Sequence, residues 1–268
     1  MKKLFLTAAL LTLTAAAFAQ NAKNLGPQAQ GDENSAQKLT NTQCQSTFIS
    51  GSGSTYMNFC TSANGNISRI QTPSGWDQLY FGAEGYGICD ETNLYGYYDW
   101  GQYGDSGNWM AATITQPNGP STFPLTITRT TSDGVFTLKQ VFSQNKTTPG
   151  IKVTMTLTNN SDIVRETFLT RFADIDADTF SGGGGNTFDS TEFSAWGVVP
   201  GGGAHGLIAR GSSSKWWRQA RVVSGFQDPC KPTLLSTPFN GDGASLLIWQ
   251  PGFGPHQSLT MSMEYRPF

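Results

Sequence analysis

The chain has 268 residues, with 17 lysines and arginines against 19 aspartates and glutamates, so its formal net charge is −2. Proteins that bind nucleic acid usually carry a basic excess, so this balance argues against nucleic acid as a partner. Charged residues make up only 13% of the chain, whereas glycine contributes 31 residues and aromatic residues 12%. This composition excludes a disordered or collagen-like chain and is typical of an extracellular β-protein.

The first 19 residues have the three parts of a secretory signal peptide. Lys2 and Lys3 give a positive start, residues 4–18 are apolar apart from threonines, and Ala17-Phe18-Ala19 fits a cleavage site. The apolar run is shorter than the roughly 20 residues needed to span a bilayer. The residue directly after the cleavage site is Gln20 and not a cysteine, so a lipid anchor is not expected. The sequence therefore predicts a secreted or periplasmic protein with no transmembrane segment after signal removal.

The remaining chain divides by composition into two parts. Residues 20–43 are polar, rich in asparagine, glutamine and alanine, and have no hydrophobic period. This pattern predicts a disordered leader. Residues 44–268 contain the apolar and aromatic segments, and we expect them to form one folded domain.

The four cysteines predict two disulfides, because an even number in an exported protein is typical of a disulfide framework. Four cysteines allow three pairings. The short separation of Cys44 and Cys60 favours a local bridge, which leaves Cys89 to pair with Cys230. A metal site is the weaker alternative, because no C-x-x-C motif occurs.

Alternating apolar and polar residues predict β-strands in the middle and at the end of the chain. The apolar positions of the two clearest segments are Ile151, Val153, Met155 and Leu157, and then Leu259, Met261, Met263 and Tyr265. Asp133-Gly134 lies between two further strands and suggests a type I′ turn, in which both central residues have positive φ. Five candidate strands from about Met110 to Phe172 indicate an antiparallel meander.

These segments predict an all-β fold, a large single-domain antiparallel β-sandwich with glycine-rich loops. The long meander is similar to the β-supersandwich of carbohydrate-active families such as the galactose-mutarotase-like group. The resemblance implies a sugar-related function but no catalytic residues, since neither His205 nor His256 matches a family motif.

The segment from Trp76 to Trp109 is the first candidate site, because it holds ten aromatic residues interleaved with carboxylates. Ring faces stack on the CH faces of sugars, and carboxylates accept hydrogen bonds from sugar hydroxyls. The predicted ligand-binding residues are Trp76, Tyr86, Tyr95, Tyr97, Tyr98, Asp99, Trp100 and Trp109. Two alternatives stay open: the rings fill a core, since each buries a large apolar area, or they form an adhesive surface.

Asp174, Asp176 and Asp178 form the second candidate site, since their alternation resembles the start of a calcium loop. Thr179 stands where an EF-hand has glycine, so the pattern departs from that motif. We expect either a structural Ca²⁺ or, as the alternative, a solvated strand end.

The third candidate is Lys215-Trp216-Trp217-Arg218 with Arg221, in which cations beside tryptophan suit an anionic polysaccharide. The alternative is a strand with one tryptophan on each face.

The leading hypothesis is thus an exported β-sandwich that binds a polysaccharide or cell-surface glycan. The runner-up is a structural or adhesive protein that self-associates. The third is a carbohydrate-active enzyme on the same scaffold, for which the sequence identifies no catalytic residues.

Overall fold

The computed structural model describes residues 43–53, 56–144, 150–177, 186–200, 205–212, 215–225 and 228–268. These residues fold almost entirely into antiparallel β-strands, which confirms the predicted all-β class. The predicted signal peptide and nearly all of the predicted leader lie outside the described residues. In the part of the chain that is described, no helix has the length and apolar character needed to cross a membrane.

Both disulfides form as predicted. Cys44 bonds to Cys60 across 16 residues, and Cys89 bonds to Cys230 across 141 residues. The first bridge closes the start of the domain locally, and the second joins two strand regions that are far apart in sequence. Such bridges persist in oxidising compartments, so they are consistent with a location outside the cytoplasm.

Two sheets contain the early strands and the centre of the fold. A three-stranded sheet has the order β1 (Ser46–Ser50), β2 (Met57–Thr61) and β3 (Ile67–Gln71). A six-stranded sheet contains β4 (Leu79–Asp90), β5 (Tyr95–Asp99), β10 (Arg165–Ile175), β14 (Trp217–Val223), β16 (Ala244–Trp249) and β17 (Gly252–Phe253). The order of this sheet is β14-β16-β10-β4-β5, and β17 pairs with the start of β10.

The third sheet has nine strands. They are β6 (Thr113–Thr115), β7 (Leu125–Thr130), β8 (Phe136–Gln144), β9 (Ile151–Asn159), β11 (Asn186–Ser190), β12 (Ser194–Val198), β13 (Gly206–Gly211), β15 (Phe239–Gly241) and β18 (Ser258–Pro267). Their order is β15-β11-β12-β13-β18-β9-β8-β7-β6. The predicted meander is therefore present in β6 to β9, but the fifth strand, β10, belongs to the six-stranded sheet.

The Asp133-Gly134 turn joins β7 to β8 as predicted, but it is not a type I′ turn. Gly134 has a positive φ of 76°, whereas Asp133 does not. Five residues separate the strands, and the Gly134 amide donates to the Thr131 carbonyl. Asp133 uses its carboxylate to accept from the Val135 amide, which favours this longer connection over a two-residue turn.

The main core lies between the six- and nine-stranded sheets, and the three-stranded sheet packs into the same apolar cluster. Each predicted apolar position of β9 is fully buried, and so is the Tyr265 side chain of β18. A smaller cluster covers the other face of the six-stranded sheet around Trp100 and Phe172.

A buried ion pair crosses this core. Glu84 on β4 accepts from Arg171 on the neighbouring strand β10, with Nη2 of the arginine 2.9 Å from Oε2. Both side chains are 0% exposed. Tyr265 donates to Glu84 at 2.8 Å from the opposite sheet, and the Ile67 amide donates at 2.6 Å from the three-stranded sheet. Arg171 also donates to Gln140 on β8 and to the Gly65 carbonyl.

We expect Arg171→Met to lower the free energy of unfolding by about 3–5 kcal/mol, because it leaves the Glu84 charge buried without its partner. The double variant Glu84→Gln, Arg171→Met should recover much of that loss. Urea denaturation with the disulfides intact measures both. Arg210→Met, at an exposed arginine, is the control and should change stability by no more than about 0.5 kcal/mol. If Arg171→Met lowers the free energy of unfolding no more than the control does, Arg171 is not the partner that keeps the buried Glu84 charge stable.

Candidate functional site

The aromatic segment is mostly interior. Four of its predicted ligand-binding rings are buried, namely Tyr86, Tyr97, Trp100 and Trp109. Trp100 stacks on Tyr98 with centroids 5.8 Å apart and packs against Phe172. The structure therefore gives these rings packing partners within the protein, as in the core alternative. Their ligand-binding role stays a prediction.

Asp99, the predicted carboxylate of the set, is also buried. Its Oδ2 accepts from Arg129 at 2.7 Å and from Asn64 at 3.2 Å. Burial raises the pKa of Asp99 to about 7, while the Arg129 guanidinium opposes that rise. Arg129 also donates to Tyr86, so these groups form a second polar network inside the core.

Three members of the predicted set reach the surface. Trp76 is 46% exposed, Tyr95 is 49% exposed, and Tyr98 is half-buried. The Trp76 ring lies 5.0 Å from the His205 ring, which supports one side of it. The Tyr95 ring meets the edge of Tyr97 at 5.0 Å. The exposed rings thus lie at separate positions along the segment, on the loop before β4 and at the start of β5.

Two of the three predicted metal ligands lie in an acidic triad, which we define as Asp174, Asp176 and Asp242. One oxygen from each carboxylate lies within 4.8 Å of the others. Asp178 lies outside the described residues. Sequence reasoning missed Asp242, because it follows Asp176 by 66 residues and carries no local motif. Pairing of β10 with β16 brings it there, since Asp174 is opposite Ala244 in the register.

The triad is held at the end of the six-stranded sheet. Tyr103 donates to Oδ2 of Asp174, and the Asp176 amide donates to the Gln78 carbonyl at 3.1 Å. Burial raises the pKa of Asp174 to about 8, and the carboxylates of Asp176 and Asp242 add to that effect. Burial, together with the Asp242 charge, raises the pKa of Asp176 to about 6.

A groove of about 500 Å³ lies on the nine-stranded sheet, and sequence reasoning did not predict it. We call it the basic groove. Its lining residues are Lys152, Phe193, Arg210, Gly211, Ser212, Ser262, Met263, Glu264 and Arg266. Glu264 is opposite Arg210 on one side and Lys152 on the other, so these three charges form one row across β13, β18 and β9. The sequence does show polar residues alternating with apolar ones along these strands. It does not show that the polar residues of β9, β13 and β18 lie side by side, because that depends on strand order.

Charge in the basic groove is unbalanced. Arg266 forms an ion pair with Glu264 at 2.6 Å. Within the described part of the chain, the Lys152 ammonium and the Arg210 guanidinium form no side-chain hydrogen bond or ion pair, although Glu264 is opposite both residues in the register. The groove therefore presents three cations against one carboxylate.

One tryptophan of the third predicted site, Trp217, lies beside this groove. Trp217 stacks on Phe193 with centroids 5.7 Å apart, and its indole donates to the Glu192 carbonyl. Lys215 lies over the Trp216 ring at 4.1 Å. Trp217 thus supports the aromatic wall of the groove from behind, whereas Trp216 lies just before β14.

No family model matches this chain, and no curated protein sequence matches it. Among solved structures, the chain is similar to a bacterial glucoamylase complexed with acarbose, with a TM-score of 0.56 and 8% identity. That match covers 85% of this chain and 32% of the glucoamylase, so this chain spans about a third of that protein's length. A 4-alpha-glucanotransferase from Thermococcus litoralis matches 82% of this chain and 37% of its own length, with a TM-score of 0.46 and 6% identity. The first likeness concerns the fold alone, and no argument rests on the second.

The different burial of two tryptophans gives a direct test of the packing described above. Trp100→Ala should lower the free energy of unfolding by about 3–5 kcal/mol, because it leaves a large cavity beside Phe172. Trp76→Ala removes a half-exposed ring and should cost no more than about 1 kcal/mol. Urea denaturation measures both. Equal losses for the two variants would contradict the interior position of Trp100.

Proposed function

We propose that this protein binds carbohydrate in the basic groove and that its ligand is an acidic polysaccharide. The observation that carries the proposal is the row of Lys152, Glu264 and Arg210 on one sheet face, whose two cations form no side-chain hydrogen bond or ion pair among the described residues. The fold, which a bacterial glucoamylase shares, makes a saccharide the first class of ligand to test.

Charge favours an anionic ligand over a neutral one. The whole chain has only 17 basic residues and a net charge of −2, yet three basic residues line this groove. Arg210 suits bidentate contact with a carboxylate or sulfate, and Lys152 supplies a second positive charge. A ligand with regularly spaced carboxylates would meet both at once.

The other lining groups suit a sugar ring. Phe193 presents an aromatic side chain at the groove wall, which Trp217 supports by stacking. Ser212 and Ser262 place hydroxyl groups beside the cations and hydrogen-bond to each other at 2.7 Å. The groove is thus mainly polar with one aromatic wall, so it offers hydrogen-bond partners for sugar hydroxyls and a ring face for stacking.

Exposed ion pairs are weak, typically worth about 0.2–1 kcal/mol each. Measurable affinity therefore needs several contacts along a polymer, and it should decline as salt screens them. We expect polygalacturonate to bind more tightly than dextran, and the difference to shrink between about 50 mM and about 500 mM NaCl.

The experiment is affinity electrophoresis or calorimetry with both polymers on the wild type and on Lys152→Ala, Arg210→Ala. The double variant loses two ion pairs with the polymer, each worth up to about 1 kcal/mol, so polygalacturonate binding should weaken by about tenfold. Lys139→Ala is the matched control, because Lys139 is exposed on β8 of the same sheet but does not line the groove. An equal loss in the control variant would assign the effect to net charge and overturn the proposal.

A second candidate is neutral-sugar stacking on Trp76, favoured by its exposed ring beside His205. In that case dextran should bind, and Trp76→Ala should abolish binding while lowering the free energy of unfolding by no more than about 1 kcal/mol. If neither polymer binds, the structural or adhesive hypothesis becomes the better one.

We also propose that the protein acts outside the cytoplasm. Its two disulfides support this compartment, and the predicted signal peptide provides the route. Mass spectrometry of exported protein should give a mature chain that begins at Gln20.

A further inference from the structure

We propose that the acidic triad of Asp174, Asp176 and Asp242 is a Ca²⁺ site. The triad is separate from the basic groove. Its residues belong to the C-terminal end of β10 and to the turn before β16, whereas the groove lies on β9, β13 and β18. The inference therefore does not rest on the carbohydrate proposal.

The geometry of the triad matches the size of calcium. Calcium binds oxygen at about 2.3–2.6 Å, so oxygens on opposite sides of one ion lie up to about 4.6–5.2 Å apart. The three carboxylate oxygens lie within 4.8 Å of one another. Magnesium demands near-ideal octahedral geometry and usually keeps several of its waters, so a cluster of three protein carboxylates favours calcium. The donors are all carboxylates, which favours a hard cation over zinc.

An independent observation comes from one oxygen of Asp174. The side chain is 2% exposed, and Oδ2 accepts from Tyr103. Oδ1 is buried and has no hydrogen-bond donor among the described residues. Leaving a buried acceptor unsatisfied is unfavourable, and two further carboxylates beside it add repulsion. A cation bound to Oδ1 removes both costs.

The surroundings leave room for the remaining ligands. Asp242 is exposed, so water reaches the open side of the triad. Calcium takes six to eight oxygen ligands and accepts both bidentate carboxylates and waters. A bound ion would link the end of β10 to the turn that precedes β16, in addition to the pairing of the two strands.

The experiment compares the full-length protein freed of metal by a chelator with the same protein titrated with CaCl₂. Calorimetry should report one ion per chain. At about 100 times the dissociation constant, calcium should raise the Tm by about 5–10 °C. MgCl₂ should bind at least tenfold more weakly.

Asp242→Asn is the decisive variant, because this exposed residue can change without disturbing the core. It should weaken calcium binding at least tenfold and abolish the rise in Tm, without lowering the Tm of the metal-free protein, because it removes one of the repelling charges. Asp189→Asn, on the neighbouring strand β11 but outside the triad, should behave as the wild type.

Asp174→Asn separates metal binding from a purely structural role of the buried carboxylate. In the metal-free protein it removes repulsion and should keep or raise the Tm, yet calcium binding should be lost. No calcium heat in the wild type, or wild-type affinity in Asp242→Asn, overturns the proposal. No polysaccharide is present in these measurements, so their outcome is independent of the groove.

Discussion

Glu84 and Arg171 place opposite charges in the interior, where neither is tolerated without partners. Their partners come from all three sheets: Tyr265 from the nine-stranded sheet, the Ile67 amide from the three-stranded sheet, and β4 and β10 themselves. The apolar core around them tolerates many arrangements, since hydrophobic contact is not directional. The ion pair requires one arrangement, because each hydrogen bond restricts distance and angle. The relative position of the sheets therefore depends on this pair.

The turn between β2 and β3 shows how closely the interior is filled. Gly65 has a φ of 91°, and a Cβ there would lie 2.4 Å from Nε2 of Gln140. Asn66 donates to the carbonyls of Glu84 and Asp99 at 3.0 Å each. These hydrogen bonds satisfy two carbonyl groups inside the core, so the turn is part of the interior packing.

The fold class, both disulfides and the buried faces of β9 and β18 could be predicted from local pattern, because side-chain alternation and cysteine separation are local properties. That β10 belongs to another sheet could not be predicted from local pattern, since strand order depends on packing between distant segments. The same limit applies to the aromatic segment. Composition identifies Trp76 and Trp100 as equivalent candidates, whereas exposure depends on which sheet face each ring meets. Asp242 and Arg210 were missed for the same reason.

Strand register explains why a chain with so few charged residues still has two concentrated charge clusters. In an antiparallel pair, residues opposite each other lie on the same face. Lys152, Arg210 and Glu264 are thus gathered from three strands that are far apart in sequence, and Asp174 meets Asp242 through the pairing of β10 with β16. In the acidic triad, like charges held together in this way repel one another and weaken the folded state. In the groove, Glu264 lies between the two cations and offsets part of their charge. Folding of the apolar core holds both clusters in place, and a cation bound to the triad would relieve its repulsion.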